Sequence, residues 1–149
     1  MKIIKGLYIG ILLFLNTALI GLELYKNTIR DQWAEGSVIG EEAYYQLQQL
    51  HGVTNFITLL LTFLILGGAL GLVLWKKKEL IKPQIIATLG ISLLFYVTAL
   101  ITALITDAPR GNLSQHVHSM TGAVAVILIF LLISRYFNRN ERKVRGLIH

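Results

Sequence analysis

The chain has 149 residues, of which 54% are hydrophobic and only 15% are charged, and its mean hydropathy is +0.63. This composition excludes an ordinary soluble domain, in which about a quarter of the residues are charged. The formal net charge is +6, and the chain contains no cysteine. A disulfide, a thiolate metal site, an iron–sulfur cluster and a covalently attached c-type haem are therefore excluded as well.

Four apolar segments approach the roughly 20 residues that an α-helix needs to cross about 30 Å of hydrocarbon. They predict an all-α fold, an integral membrane four-helix bundle formed as a single domain over residues 1–149, because lipid offers the backbone no hydrogen-bonding partner. Their apolar character is continuous rather than alternating, which argues against a β-barrel. The predicted spans are 6–24, 52–75, 85–105 and 119–137.

The first segment follows Lys2 and Lys5, an arrangement that secretory signal peptides share. It is longer than the apolar region of a signal peptide, and the stretch after it, ELYKNT, is bulky and charged rather than a small-x-small cleavage motif. We therefore predict that this segment is the first spanning helix.

Lysine and arginine predict the orientation, since their excess marks the cytoplasmic side of a membrane protein. Eleven of the fourteen basic residues fall on one side, which predicts that both termini are cytoplasmic and face the anionic lipid of a plasma or inner membrane rather than nucleic acid. The other side carries Lys26, Arg30 and Arg110. The eleven are Lys2, Lys5, Lys76, Lys77, Lys78, Lys82, Arg135, Arg139, Arg142, Lys143 and Arg145.

The predicted connections differ in length and composition. The first outer loop, 25–50, is long, acidic and aromatic, and a short amphipathic helix from Glu41 is an alternative for its last part. The second, 106–115, reads as a tight turn containing proline and glycine. The inner connector KKKELIKPQ is short, and Pro83 suits the first turn of the third helix.

An internal repeat relates the two halves. Residues 50–56 read LHGVTNF and residues 117–123 read VHSMTGA, so that His51 and His118 are 67 positions apart (118 − 51). The tetrapeptide TALI begins at Thr17 and again at Thr98, 81 positions apart (98 − 17). We predict that a two-helix unit is duplicated about a pseudo-twofold axis along the membrane normal.

That symmetry would bring His51 and His118 face to face across the bundle core, at one depth. Two imidazoles on opposite helices can supply both axial ligands of a haem iron, whereas zinc takes three or four protein ligands. His116 lies two positions before His118 and is predicted to face the rim. Thr54 and Thr121 are expected to donate hydrogen bonds to backbone carbonyls of their own helices. Small residues suit either a slot for haem or close helix packing: Gly67, Gly68, Ala69, Gly71, Gly122, Ala123 and Ala125.

In this arrangement the chain resembles one half of a haem A synthase. The resemblance is carried by LHGVTNFITLLLTFLILGGALGLVLWKKK and by LFYVTALITALITDAPRGNLSQHVHSMTGAVAVILIFLL, which together with the helix order cover nearly the whole chain. It implies that His51 and His118 are haem ligands. The cofactor it implies is a b-type haem, or haem O or haem A as substrate and product.

Three departures from the family bear on catalysis. Family members carry a glutamate three residues before the first histidine, and this chain has Gln48, an amide that cannot take up a proton as a carboxylate can. The arginine that follows the family's histidines is replaced by Gly52 and Ser119, and the outer-loop cysteine pair is missing. Glu23 and Glu42 are the weak candidates for a catalytic carboxylate. We expect no synthase activity.

Two functions remain open on the sequence. The first is a haem-binding membrane protein for haem modification, haem handling or electron transfer in a respiratory membrane. The second is a cofactor-free accessory subunit of a respiratory membrane complex. The expected partners are membrane lipid and either a second copy of the chain or subunits of such a complex.

Overall fold

The computed structural model describes residues 2–34, 41–106 and 108–145. These residues form four α-helices: α1 (Lys2–Ala34), α2 (Glu41–Leu74), α3 (Ile81–Thr106) and α4 (Arg110–Arg145). One turn of 3-10 helix, Lys78–Leu80, precedes α3, and the described residues contain no strand. The predicted all-α fold with four long helices is confirmed.

The helices run up, down, up and down, because short connections join consecutive ones, and each helix contacts the other three. We call the end of the bundle at which α1 and α3 begin the terminal end. The opposite end, at which α2 and α4 begin, is the histidine end. The pseudo-twofold relation between the two halves, and the side of the membrane that each end faces, stay predictions.

All four helices are long and apolar enough to cross a membrane. Large apolar side chains cover the outside of the bundle as well as its core, an arrangement that a soluble protein does not tolerate over so wide an area. Lipid is the solvent that matches this surface, so the protein is a multi-pass membrane protein in contact with lipid. Exposed examples are Phe14, Phe56, Phe63, Leu70, Leu93, Leu104, Phe130 and Leu132.

The helices are longer than the predicted spans, and two loops are corrected. With 33 and 34 residues, α1 and α2 each extend about 50 Å, well beyond the hydrocarbon thickness. Residues 25–34, predicted as loop, continue α1, and α2 already begins at Glu41, where the sequence allowed a short helix. At the second connection α4 begins at Arg110, so most of the predicted loop 106–115 is helical.

The connection from α2 to α3 closes with a Schellman motif at the terminal end. The amide of Lys77 donates to the carbonyl of Leu72 at 2.8 Å, and the amide of Lys76 donates to that of Val73 at 3.1 Å. Lys76 takes the left-handed position of the motif, with a φ of 57°, where glycine is the usual residue. Pro83 is the third residue of α3, which confirms its predicted place in the first turn.

A polar contact joins three helices in the half of the bundle near the terminal end. Gln84 of α3 donates from Nε2 to the carbonyl of Ile65 on α2 at 3.0 Å and to the hydroxyl of Tyr8 on α1 at 3.5 Å. Tyr8 also shares a 2.8 Å hydrogen bond with Thr88. A β-carbon placed on Gly68 would lie 2.9 Å from Gln84 Nε2, so the glycine makes room for the amide. These contacts show which residues of α1, α2 and α3 lie at the same height along the bundle axis.

Candidate functional site

Three of the four histidines lie in the half of the bundle near the histidine end, and the structure buries one of them. His116 of α4 is 2% exposed, whereas His51 of α2 and His118 of α4 are exposed. The predicted pair His51 and His118 therefore does not face inward together. His116, predicted to lie on the rim, is the histidine that points into the core.

The register of α4 explains which histidine is buried. His116 shares its helix face with Leu113, Met120, Ala123 and Ile127, all of which are buried. This apolar stripe, at spacings of three and four residues, was visible in the sequence and could have identified His116 as the core histidine. The similarity of the two histidine heptapeptides instead predicted that His118 faces the core.

His118 lines a shallow groove between α3 and α4 on the outside of the bundle. The groove has a volume of about 360 Å³ and is open toward the surface. Thr121 follows His118 on the same face, and its hydroxyl donates to the carbonyl of Val117 at 2.9 Å. The other lining residues are Leu89, Ser92, Leu93, Tyr96 and Val117. His118 thus lies in an open, mostly apolar groove and not in the core.

His51 is exposed on α2 near the histidine end, three residues before the buried Thr54. It precedes the buried Ala69 by five full helical turns, so both residues point in the same direction. Seventeen residues separate His51 from Gly68, the neighbour of Gln84, which places it about 25 Å above Gln84. Phe95 lies eleven residues beyond Gln84, or about 16 Å above it. His51 therefore lies roughly 10 Å nearer the histidine end than the ring that contacts Phe95.

That ring is the imidazole of His116, which packs edge-on against Phe95 with their centroids 6.4 Å apart. Neither Nδ1 nor Nε2 of His116 has a hydrogen-bonding partner among the described residues. A buried polar group without a partner costs free energy, on the order of 1–3 kcal/mol in proteins. Packing alone therefore does not explain the presence of His116.

Asn16 of α1 is a second buried polar side chain at this height. It is fully buried, its Nδ2 donates to the carbonyl of Leu12 at 2.7 Å, and its Oδ1 has no partner among the described residues. Asn16 lies eight residues beyond Tyr8, and Phe95 lies seven residues beyond Thr88, the residue that Tyr8 contacts. Because α1 and α3 run in the same direction, Asn16 and Phe95 lie at about the same height.

The two candidate catalytic carboxylates differ in their surroundings. Glu23 is 5% exposed and forms an ion pair with Lys26, which is 2% exposed. It is buried with its charge compensated, rather than extended to the membrane surface. Glu42 is exposed at the beginning of α2, nine residues and about 13 Å before His51. Gln48 is exposed on α2 as well.

The hydrogen bonds predicted for Thr54 and Thr121, to backbone carbonyls of their own helices, are confirmed. Thr54 is buried, and its hydroxyl donates to the carbonyl of Leu50 at 2.9 Å, one helical turn earlier. The same back-bonding is seen at Thr58 and Thr62 further along α2. These hydroxyls donate within their own helix.

Within residues 6–31, 41–106 and 112–136, no three His, Cys, Asp or Glu side chains come together to hold a bare metal ion. A group that needs one or two protein ligands, such as a haem iron, is compatible with the histidines present. No protein-family model, no curated protein and no solved structure matches the chain.

Proposed function

We propose that the protein is a haem-binding integral membrane protein that resembles half of a haem A synthase. Haem supplies one-electron redox chemistry, and the protein's part is to ligate the iron, exclude water and set the potential. The observation that carries the proposal is His116, which is buried in an apolar bundle and finds no hydrogen-bonding partner for either ring nitrogen in the described part of the chain. An ionisable side chain at membrane depth is costly and marks a functional site.

The ligands come from α2 and α4, the two helices that begin at the histidine end. On α2 the ligand is His51, which is exposed near the beginning of the membrane-spanning part of the helix. On α4 it is one of the histidines at 116 and 118. A neutral imidazole nitrogen is a strong ligand for haem iron, and it needs no further charge to balance it in lipid.

We assign the protein to haem handling or electron transfer rather than to oxidation of the haem methyl group. Glu23 is paired with Lys26, Glu42 lies about 13 Å from His51 along α2, and Gln48 cannot act as a base. A respiratory membrane, and a second copy of the chain or respiratory subunits as partners, are proposed on the sequence resemblance alone.

The test is the absorption spectrum of the purified wild-type protein in mild detergent, recorded oxidised and reduced. We expect the sharp reduced bands of a low-spin, six-coordinate haem b. His51→Ala should lose these bands or convert them to a high-spin spectrum, while Asn55→Ala, an exposed residue one turn further along α2, should leave them unchanged. A stable but colourless wild-type protein would reject the proposal in favour of a cofactor-free subunit.

A further inference from the structure

The groove between α3 and α4 lies in the outer wall of the bundle, within the apolar spans of both helices. His118 follows Asn112, the first residue of the apolar span of α4, by six residues, or about 9 Å of helix. Tyr96 precedes Thr106, the last residue of the apolar span of α3, by ten residues, or about 15 Å. Acyl chains therefore face this groove, and lipid headgroups lie farther out, toward the histidine end.

Two of the four polar side chains that line the groove have free hydrogen-bond donors. Ser92 and Thr121 donate their hydroxyl hydrogens to carbonyls of their own helices, each at 2.9 Å. His118 is exposed and Tyr96 is 40% exposed, and neither has a hydrogen-bonding partner among the described residues. A polar group in hydrocarbon is costly unless it is hydrogen-bonded, and acyl chains offer it no acceptor. The groove therefore favours a ligand that accepts hydrogen bonds.

The chemistry of the groove selects among the molecules that dissolve in a bilayer. No lysine or arginine of the described chain lines it, so a phosphate or a carboxylate finds no fixed positive charge there. Leu89, Leu93 and Val117 provide apolar walls. The free donors come from different helices, Tyr96 from α3 and His118 from α4, so two acceptors of one molecule can be bound at once. A quinone matches this arrangement because it is uncharged, soluble in hydrocarbon and carries two carbonyl oxygens on one ring.

We propose that the α3–α4 groove binds the ring of a membrane quinone, with the hydroxyl of Tyr96 and a ring N–H of His118 donating to its two carbonyl oxygens. The isoprenoid tail extends from the open side of the groove into the lipid, so no enclosed cavity is required. The volume of about 360 Å³ is at the lower end of the range for small-molecule sites. This inference goes beyond the proposed haem binding and does not depend on it.

The experiment measures the affinity of the purified protein, in lipid nanodiscs, for a ubiquinone whose tail is a single isoprene unit. Empty nanodiscs give the partition of this quinone into lipid, and the excess in discs that contain the protein gives the bound amount. We expect saturable binding of one quinone per chain. Binding that does not exceed the empty discs, or that does not saturate, would overturn the proposal.

Two neighbouring leucines of α3 locate the binding. Leu93 and Leu94 are both exposed, at 65% and 55%, but only Leu93 lines the groove. Leu93→Trp should obstruct the groove and weaken quinone binding about tenfold, and Leu94→Trp should leave the affinity unchanged. Equal losses in the two variants would place the quinone elsewhere and overturn the assignment of the groove. Neither leucine is a proposed haem ligand, so the comparison holds whether or not the protein carries haem.

The two hydrogen bonds are tested by removing each donor. Tyr96→Phe deletes only a hydroxyl and should weaken quinone binding about fivefold, and His118→Leu should have a similar effect. Tyr25→Phe, at an exposed tyrosine of α1 outside the groove, is the matched control.

Infrared spectra of the quinone, with isotope-labelled carbonyl carbons, report on the same bonds. In the wild-type protein the carbonyl bands should lie at lower frequency than in empty nanodiscs, because a hydrogen bond weakens the C=O bond. Each donor variant should return one of the two bands toward its position in lipid. Saturable binding with unshifted bands would overturn the roles of Tyr96 and His118.

Discussion

Gly68 shows how a single residue lets a polar side chain bridge two helices inside lipid. The amide of Gln84 reaches past it to the carbonyl of Ile65, and a β-carbon at position 68 would lie 2.9 Å from Gln84 Nε2. Real β-carbons do not approach a nitrogen so closely, so any larger residue must push the amide away. The bridge therefore depends on the absence of a side chain at this position.

We predict that Gly68→Ala destabilises the bundle by about 1 kcal/mol, because it removes the hydrogen bond between Gln84 and Ile65. Unfolding from mixed micelles as a function of denaturing detergent measures the change. Gly67→Ala is the matched control, since nothing lies within 4 Å of a β-carbon there. In a Gln84→Ala background, the Gly68→Ala substitution should lose most of its effect. An equal loss in both backgrounds would contradict this explanation.

The buried ion pair of Glu23 and Lys26 illustrates a different use of polarity at the scale of single residues. Both side chains are on α1, one helical turn apart, and each is almost completely buried. Neither charge can be removed alone without leaving the other uncompensated in a medium of low dielectric constant. The carboxylate of Glu23 is therefore engaged by Lys26, which argues against the catalytic role that the sequence left open for Glu23.

At the scale of the helices, the end of α2 places a lysine in a backbone conformation that favours glycine. Lys76 occupies a left-handed conformation that costs an L-residue about 1–2 kcal/mol relative to the usual helical region. Glycine avoids this cost because it has no β-carbon. The lysine belongs to a run of three basic residues at the terminal end, which the sequence predicts to be cytoplasmic.

We predict that Lys76→Gly stabilises the protein by about 1 kcal/mol through relief of this backbone strain. Lys77→Gly removes the same charge from a residue with an ordinary φ of −103° and should give no stabilisation. Thermal unfolding in detergent, followed by circular dichroism, compares the two variants. Equal effects of both would show that the charge, rather than the backbone conformation, determines the change.

Hydropathy predicted which segments of the chain form helices but not where those helices end. Residues 25–34 are polar and were expected to form a loop, yet they contain no glycine or proline, and α1 continues through them to Ala34. A hydropathy window reports the lipid-facing length, whereas the ends of a helix depend on its capping contacts and on residues such as glycine and proline.

The register of α4 shows why the candidate site was only partly predictable. The two histidine motifs are similar in sequence, and that similarity predicted equal depth for His51 and His118. Depth depends on how far each helix extends beyond the bundle, and burial depends on the helix face, and neither follows from a local motif. The stripe through Leu113, Met120 and Ile127 carried the information about the buried face of α4.

For the whole molecule, the absence of cysteine makes topology directly testable. The distribution of lysine and arginine predicts that the terminal end is cytoplasmic. Gln46 of α2 and Lys78 of the 3-10 turn are exposed at opposite ends of the bundle. Phe63 is 71% exposed, but it lies within the apolar part of α2, where lipid rather than water covers it.

We predict that Gln46→Cys reacts with a membrane-impermeant maleimide in intact cells and that Lys78→Cys reacts only after the membrane is opened. Phe63→Cys should stay unlabelled in both conditions despite its exposed position, because the reagent and the thiolate both require water. Labelling is read from a mass shift on a gel. The reverse pattern for the first two variants would invert the predicted orientation, and rapid labelling of Phe63→Cys would contradict a lipid-covered face.

The contacts of Gln84 and Tyr8 have a mechanical consequence for the bundle. These hydrogen bonds tie α1, α2 and α3 together in the half near the terminal end, whereas Thr54, Thr58 and Thr121 bond only within their own helices. Directional bonds between helices thus reinforce the packing in the half near the terminal end. Helices there cannot slide past one another along the bundle axis without breaking these bonds, so the relative heights of α1, α2 and α3 are set at the terminal end.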